Sequence, residues 1–171
     1  MKGKWAEGIR PRNFAWVIKD QLAVCERPGG YGESHRRVRR QEEIIWLRQQ
    51  EFDVVISLTA APHNLHNYDE LRLPYLHRPF PPTDEVGRAL ERLYTEIRQM
   101  LEQHRRVVVH RDEVGDHVSG LIAGYLVWAG MVPEVPKAVV VTERIFGRQL
   151  GPLARGLVAE AEKLASHSPA S

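Results

Sequence analysis

The apolar positions of this chain change period along its length, and the changes mark its elements. In Phe14-Ala15-Trp16-Val17-Ile18 and Leu22-Ala23-Val24 they run nearly unbroken, separated only by Lys19-Asp20-Gln21. Two short apolar runs divided by three polar residues predict two strands joined by a tight turn. Arg27-Pro28-Gly29-Gly30 then reads as a loop. From His35 to Gln50, Val38, Ile44, Ile45 and Leu47 lie among charges, as in an amphipathic helix. Phe52 to Leu58 is a β-branched run of the length of a buried parallel strand, and Leu71 to Leu76 predicts a weaker strand interrupted by Pro74.

In the second half, Thr83 can cap a helix whose first turn holds Asp84 and Glu85, the charge sign that a helix dipole favours there. Val86, Leu90, Leu93, Ile97 and Leu101 recur every three or four residues, so this helix carries one apolar stripe ending near His104. Arg106 to His110 encloses three consecutive valines, a buried-strand signal. Gly120 to Trp128 is apolar nearly all round, and its glycines predict close packing. Pro133 and Pro136 precede two further helices, about Lys137 to Phe146 and Pro152 to Leu164. Strand and helix signals alternate in the rhythm of an α/β domain. The expected organisation is one domain over 12–165, with 166–171 as a flexible tail.

The sequence has 171 residues, 43% of them hydrophobic, which suffices for a continuous core. Its 24 basic and 22 acidic residues nearly cancel, so nothing marks a polycationic surface for nucleic acid. A single cysteine, Cys25, excludes an internal disulfide. The start of the chain has no secretory apolar stretch, and no apolar run approaches the roughly 20 residues that span a bilayer. A cytoplasmic protein without membrane attachment is expected.

A strand ending in His110, a loop of eight to ten residues and a buried, small-residue helix form the setting in which cysteine-dependent phosphatases carry His-Cys-x-x-Gly-x-x-Arg-Ser/Thr-Gly. Here the text is His110-Arg111-Asp112-Glu113-Val114-Gly115-Asp116-His117-Val118-Ser119-Gly120. Asn13 to Val17 with Leu22-Ala23 resembles the opening strands of the small atypical dual-specificity phosphatases. Val55-Ile56-Ser57-Leu58-Thr59 resembles their central strand and following loop, and Pro79-Phe80-Pro81-Pro82-Thr83-Asp84 is similar to their general-acid loop. The resemblance spans roughly Asn13 to Trp128. It implies a three-layer α/β fold, a central, mostly parallel sheet flanked by helices.

It also shows what is missing. In that family a thiolate attacks phosphorus while backbone N–H groups at a helix N-terminus and an arginine fork hold the phosphate oxygens. Aligned without a gap, Arg111 replaces the cysteine, Val114 the first glycine, His117 the arginine and Val118 the hydroxyl residue. With one residue inserted, Gly115 matches the first glycine and Ser119-Gly120 the terminal pair, but Val118 then stands at the arginine and Arg111 still at the cysteine. A guanidinium is no nucleophile. Leu76-His77-Arg78-Pro79-Phe80 lacks the aspartate that serves as general acid, and Asp84 reads as a residue of the first helical turn.

The loop also carries three carboxylates, Asp112, Glu113 and Asp116, only partly offset by Arg111 and His117, so phosphate-like anions are expected to be unwelcome. The adopted reading is a solvated polar loop with internal salt bridges. His110, Asp112, Asp116 and His117 are residue types that can ligate a divalent ion, but their spacing is a weak signal, and no metal or cofactor is expected. Cys25, followed by Glu26, reads as a structural thiol. His63, His66, His77 and Asp69 read as a polar loop and its surroundings. Arg36, Arg37, Arg39 and Arg40 read as a solvated helix face that could dock an acidic protein or an RNA backbone. The expectation is a pseudophosphatase acting as a binding or regulatory module for an unidentified protein partner. Its rival is a hydrolase using the same cleft by a non-cysteine, metal-assisted mechanism.

Overall fold

A computed structural model of the chain describes residues 8–30, 37–62, 64–80 and 85–167. In chain order the elements are β1 (Ala15–Ile18), β2 (Leu22–Glu26), α1 (Arg37–Gln49), β3 (Val54–Ser57), α2 (His66–Glu70), β4 (Tyr75–His77), α3 (Val86–Glu102), β5 (Val107–Arg111), α4 (Asp116–Trp128), α5 (Val135–Phe146) and α6 (Pro152–His167). Ser166 and His167, expected in the tail, continue α6, and 168–171 lie outside the described residues. The described residues pack as two units, one within 1–80 and 100–114 and one within 81–99 and 115–171.

The first unit is built on a five-stranded sheet of order β1-β2-β5-β3-β4, parallel except for β1 against β2. β5 lies at its centre because Val107, Val108 and Val109 are apolar on both faces and fully buried, each such side chain contributing about 1.5–3 kcal/mol. Ala23, Cys25, Val55 and Val108 share one core cluster with Ile44 and Leu47 of α1 and Tyr68 of α2, so these helices cover one face of the sheet. β4 starts only after Pro74, whose carbonyl accepts from Val55 N at 2.9 Å while its missing N–H costs nothing at a strand start.

Two expectations for this unit are corrected. His66–Glu70 forms α2 where a polar loop was read, because Leu65, Asn67 and Tyr68 are buried, a pattern too short to show a period; His63 lies outside the described residues. In α1 the apolar Val38 is 63% exposed, whereas Arg40 and Glu43 are buried. Arg40 donates from Nε to Asn67 Oδ1 at 2.6 Å, and Asn67 Nδ2 in turn donates to Glu70 Oε2 at 3.1 Å. Glu43 accepts from Arg39 Nε at 2.8 Å and from Gly29 N at 3.0 Å. Burial raises the Glu43 carboxyl above its ordinary value, against the pull of Gly29 N–H and Arg39. Hydrogen-bonded charge thus sits where a solvated arginine face was expected, with Arg37 exposed and Arg36 outside the described residues. Gly29 (φ +86°) is needed in two ways, since a side chain there would meet Arg40 Cβ at 2.7 Å.

The second unit is helical. α4 starts at Asp116, earlier than the apolar run suggested, and is buried continuously from Val118 to Trp128. Gly120 lets α6 approach: a Cβ there would meet Ala154 Cα at 2.5 Å. Gly124 faces the Tyr94 hydroxyl and Ala161. Tyr94 donates from that hydroxyl to Leu121 O at 2.8 Å and packs with Tyr125 and Trp128, over which the Arg98 guanidinium lies 4.3 Å from the ring centroid. Among the described residues no helix is long and apolar enough to cross a membrane.

Candidate functional site

The signature-like stretch divides between the units, 110–114 with the first and 115–119 with the second. In the first unit, parallel pairing sets Cys25, His110 and Ser57 side by side at the carboxyl end of the sheet. His110 is fully buried and its Nε2 shares a hydrogen bond with the Tyr68 hydroxyl at 3.0 Å. Burial, helped by the nearby Arg27 charge, pushes the imidazole pKa down to about 3, so the ring is neutral at physiological pH. This makes His110 a support beneath the loop.

Arg111, the last residue of β5, is half-buried with its guanidinium 5.4 Å from the Phe80 ring centroid. Asp112 faces Arg27, Oδ1 to NH1 at 3.3 Å, an ion pair without aligned hydrogen-bond geometry. Arg27 also donates from Nε and NH2 to Gly30 O, and its backbone N–H donates to Arg111 O at 2.9 Å. One arginine therefore ties the loop after β2 to the loop after β5. Glu113 is exposed and Val114 half-buried.

The hydroxyls nearby are engaged: Ser57 Oγ and Thr59 Oγ1 lie 2.9 Å apart, and Thr59 donates to Ala61 O at 3.0 Å. His77 donates from Nε2 to Thr59 O at 2.7 Å. Among the general-acid-loop equivalents, Arg78 turns back to His77 O at 3.0 Å, Pro79 is exposed and Phe80 carries Arg111; Asp84 lies outside the described residues. Cys25 is fully buried, and burial together with Glu43 and Glu26 pushes its thiol far above the ordinary range. Burial therefore disfavours its thiolate form.

In the second unit Gly115 precedes α4, and its carbonyl accepts from both Ser119 N (3.0 Å) and Ser119 Oγ (2.9 Å). Val118 and Ser119 are buried, and His117 is half-buried. Asp116 overturns one expectation. Its Oδ1 accepts from Gly151 N at 2.7 Å and its Oδ2 from Ala154 N at 2.9 Å, so the carboxylate caps the N-terminus of α6. It was read as part of a solvated acidic cluster; the four unsatisfied donors of a helix start claim it instead. Of the three carboxylates expected to repel an anion, Asp112 faces an arginine and Asp116 faces helix amides.

Of the four candidate metal ligands, His110 has its Nε2 held by Tyr68 and Asp116 has both oxygens held by backbone, while His110 Nδ1 and Asp112 Oδ1 have no hydrogen-bond partner among the described residues. Among the described residues no group of three or more His, Cys, Asp or Glu is arranged to hold a metal ion. His66 sits 3.9 Å from Glu70, apart from the use that His77 makes of Thr59. Sequence reasoning missed Arg27, Tyr68, the Arg40–Asn67–Glu70 chain and the buried Glu43. Only the charges in an otherwise half-apolar α1 hinted at the last.

No protein-family model matches the chain, and no curated protein does. Solved structures do. Kinase associated phosphatase (KAP) with serine in place of its catalytic-site cysteine superposes with a TM-score of 0.75 at 16% identity, covering 92% of this chain and 98% of that one. Tk-PTP in its active form gives 0.70 at 14% identity over 88% and 97%. Human DUSP28 gives 0.65 at 11% identity over 94% and 99%. The chain thus has the fold of the small dual-specificity and protein-tyrosine phosphatases, as its strand pattern and loop setting implied.

Proposed function

We propose that this chain is a pseudophosphatase, a cytoplasmic binding or regulatory module that keeps the phosphatase fold without its cysteine chemistry, and whose ligand is not a phosphate dianion. The observation that carries this reading is Arg111: at the end of β5, where the family places its nucleophile, stands a guanidinium, and the chain's one thiol is fully buried with a raised pKa. Neither alignment of the loop supplies an arginine at the phosphate-binding position, and loss of a nucleophile alone removes several orders of magnitude in rate.

The test is turnover of an aryl phosphate and of phosphotyrosine peptides, with and without divalent ions, beside a heat-treated control. No hydrolysis above that control is expected. Turnover that survives in Cys25→Ser and depends on added metal would replace this reading with a metal-assisted hydrolase. Turnover abolished by Cys25→Ser would mean that the buried thiol becomes exposed.

A further inference from the structure

Three of the four mutually parallel strands end in an arginine: Arg27 directly follows β2, Arg111 closes β5 and Arg78 directly follows β4. Ligands of open α/β sheets bind outside the carboxyl ends of the strands, so these cations stand where a ligand would arrive. Arg27 is engaged with Asp112 and Gly30, and Arg78 donates to His77 O. Glu26, the ladder neighbour of Arg111, is held by Asn13. Arg111 differs from both of the other arginines. All three are half-buried, but the side-chain contact of Arg111 is with the Phe80 ring, and no carboxylate among the described residues pairs with it.

A guanidinium lying over a ring keeps its N–H edge open, and that planar fork matches a carboxylate with two parallel bonds. Partial desolvation without a counter-charge is costly, which favours a ligand that supplies one. Asp112 and Glu26 stand close by, so a dianion meets about twice the repulsion of a monoanion, with only one unpaired guanidinium to offset it. Arginine is also among the residue types from which protein interfaces draw much of their binding energy.

From this we infer that Arg111 and Phe80 anchor a docking surface for an acidic segment of a protein partner. An Asp or Glu carboxylate takes the Arg111 fork, and a neighbouring apolar side chain packs beside Phe80. The inference rests on the pseudophosphatase reading and gives the partner its chemistry.

The experiment is fluorescence anisotropy of the full chain against labelled hexapeptides in which Glu alternates with Leu, Val or Phe. Matched peptides carry Gln for Glu, or phosphotyrosine for the central Glu. Saturable, salt-sensitive binding of Glu peptides is expected, weakened about tenfold or more by the Gln replacement, by Arg111→Gln and by Phe80→Ser. Arg111→Lys, which keeps the charge and the fold but loses the fork, falls between, and the exposed Arg72→Gln leaves binding unchanged. No saturable binding by any Glu peptide, or binding indifferent to Arg111→Gln, overturns the proposal. Tighter binding of the phosphotyrosine peptides than of the Glu peptides overturns it too, in favour of a surviving phosphate cradle. Phosphate release, followed in the same samples, reports separately on the pseudophosphatase reading.

Discussion

Gly120→Ala tests the packing of the second unit at its closest approach. An added methyl group would stand 2.5 Å from Ala154 Cα and 2.8 Å from Ala154 O, atoms of a helix backbone that cannot rotate away as a side chain can. Alanine gains about 1 kcal/mol over glycine in a helix interior, while overpacking against main chain costs about 1–3 kcal/mol. With contacts this short the cost falls at the upper end, and the net effect is a destabilisation of about 2 kcal/mol. For a chain of this length that lowers Tm by about 4–8 °C. Gly156→Ala is the control, because nothing lies within 4 Å of its Cβ position in α6, and there only the helix gain of up to about 1 kcal/mol remains. Thermal unfolding followed by circular dichroism reads both. A Gly120→Ala protein as stable as wild type, or stabilised like Gly156→Ala, would refute the close contact of α4 and α6.

Three other outcomes follow from single residues. His104 follows α3 with φ +60°, a left-handed position that a side chain strains, so His104→Gly should gain about 0.5–1 kcal/mol in urea unfolding. Asp116→Ala removes both bonds to the start of α6 and should cost about 1–2 kcal/mol in the same assay, with Asp116→Asn recovering part of it. His110 has a folded pKa of about 3 against an ordinary 6.5, so the unfolded chain binds its proton first: stability is intact above pH 6.5 and falls by at most about 1.4 kcal/mol per unit as pH drops towards 3. A His110→Gln protein that keeps the same acid slope would assign that slope to other groups.

The sequence is most legible where one physical demand dominates. The valines of β5 and the stripe of α3 answer only to burial, so period and composition place them. β4 and α2 are blurred in the sequence because they are three and five residues long, too few to show a period, and because Pro74 directly precedes the strand rather than interrupting it. Arg40 and Glu43 were misplaced for a different reason. A charge usually marks solvent, but Arg40 bonds Asn67 and Glu43 bonds Gly29 besides its helix neighbour Arg39, and no local pattern announces the distant partners. The same holds for Asp116, whose identity as a capping carboxylate depends on amides 35 and 38 residues away. What the loop lacks could be read directly, because absent residue types need no geometry.

The loop's polar residues also show how this fold can stand without depending on cysteine chemistry. His110 supports β5 through Tyr68, and Asp116 caps α6; both bonds serve folding, whatever occupies the neighbouring positions. Position 111 makes a smaller demand, because the ladder uses only its backbone: Arg111 O accepts from Arg27 N–H, and any side chain allows that bond. A side chain at such a position is free to serve reactivity or binding, because the ladder does not use it. That separation accords with superposition on kinase associated phosphatase over 92% of this chain at only 16% identity. Burial and hydrogen bonding preserve the scaffold, while function depends on a few side chains that the scaffold does not need. On the proposed reading Arg111, which lies over the Phe80 ring, is for that reason the place where a different use of the same sheet edge would first become visible.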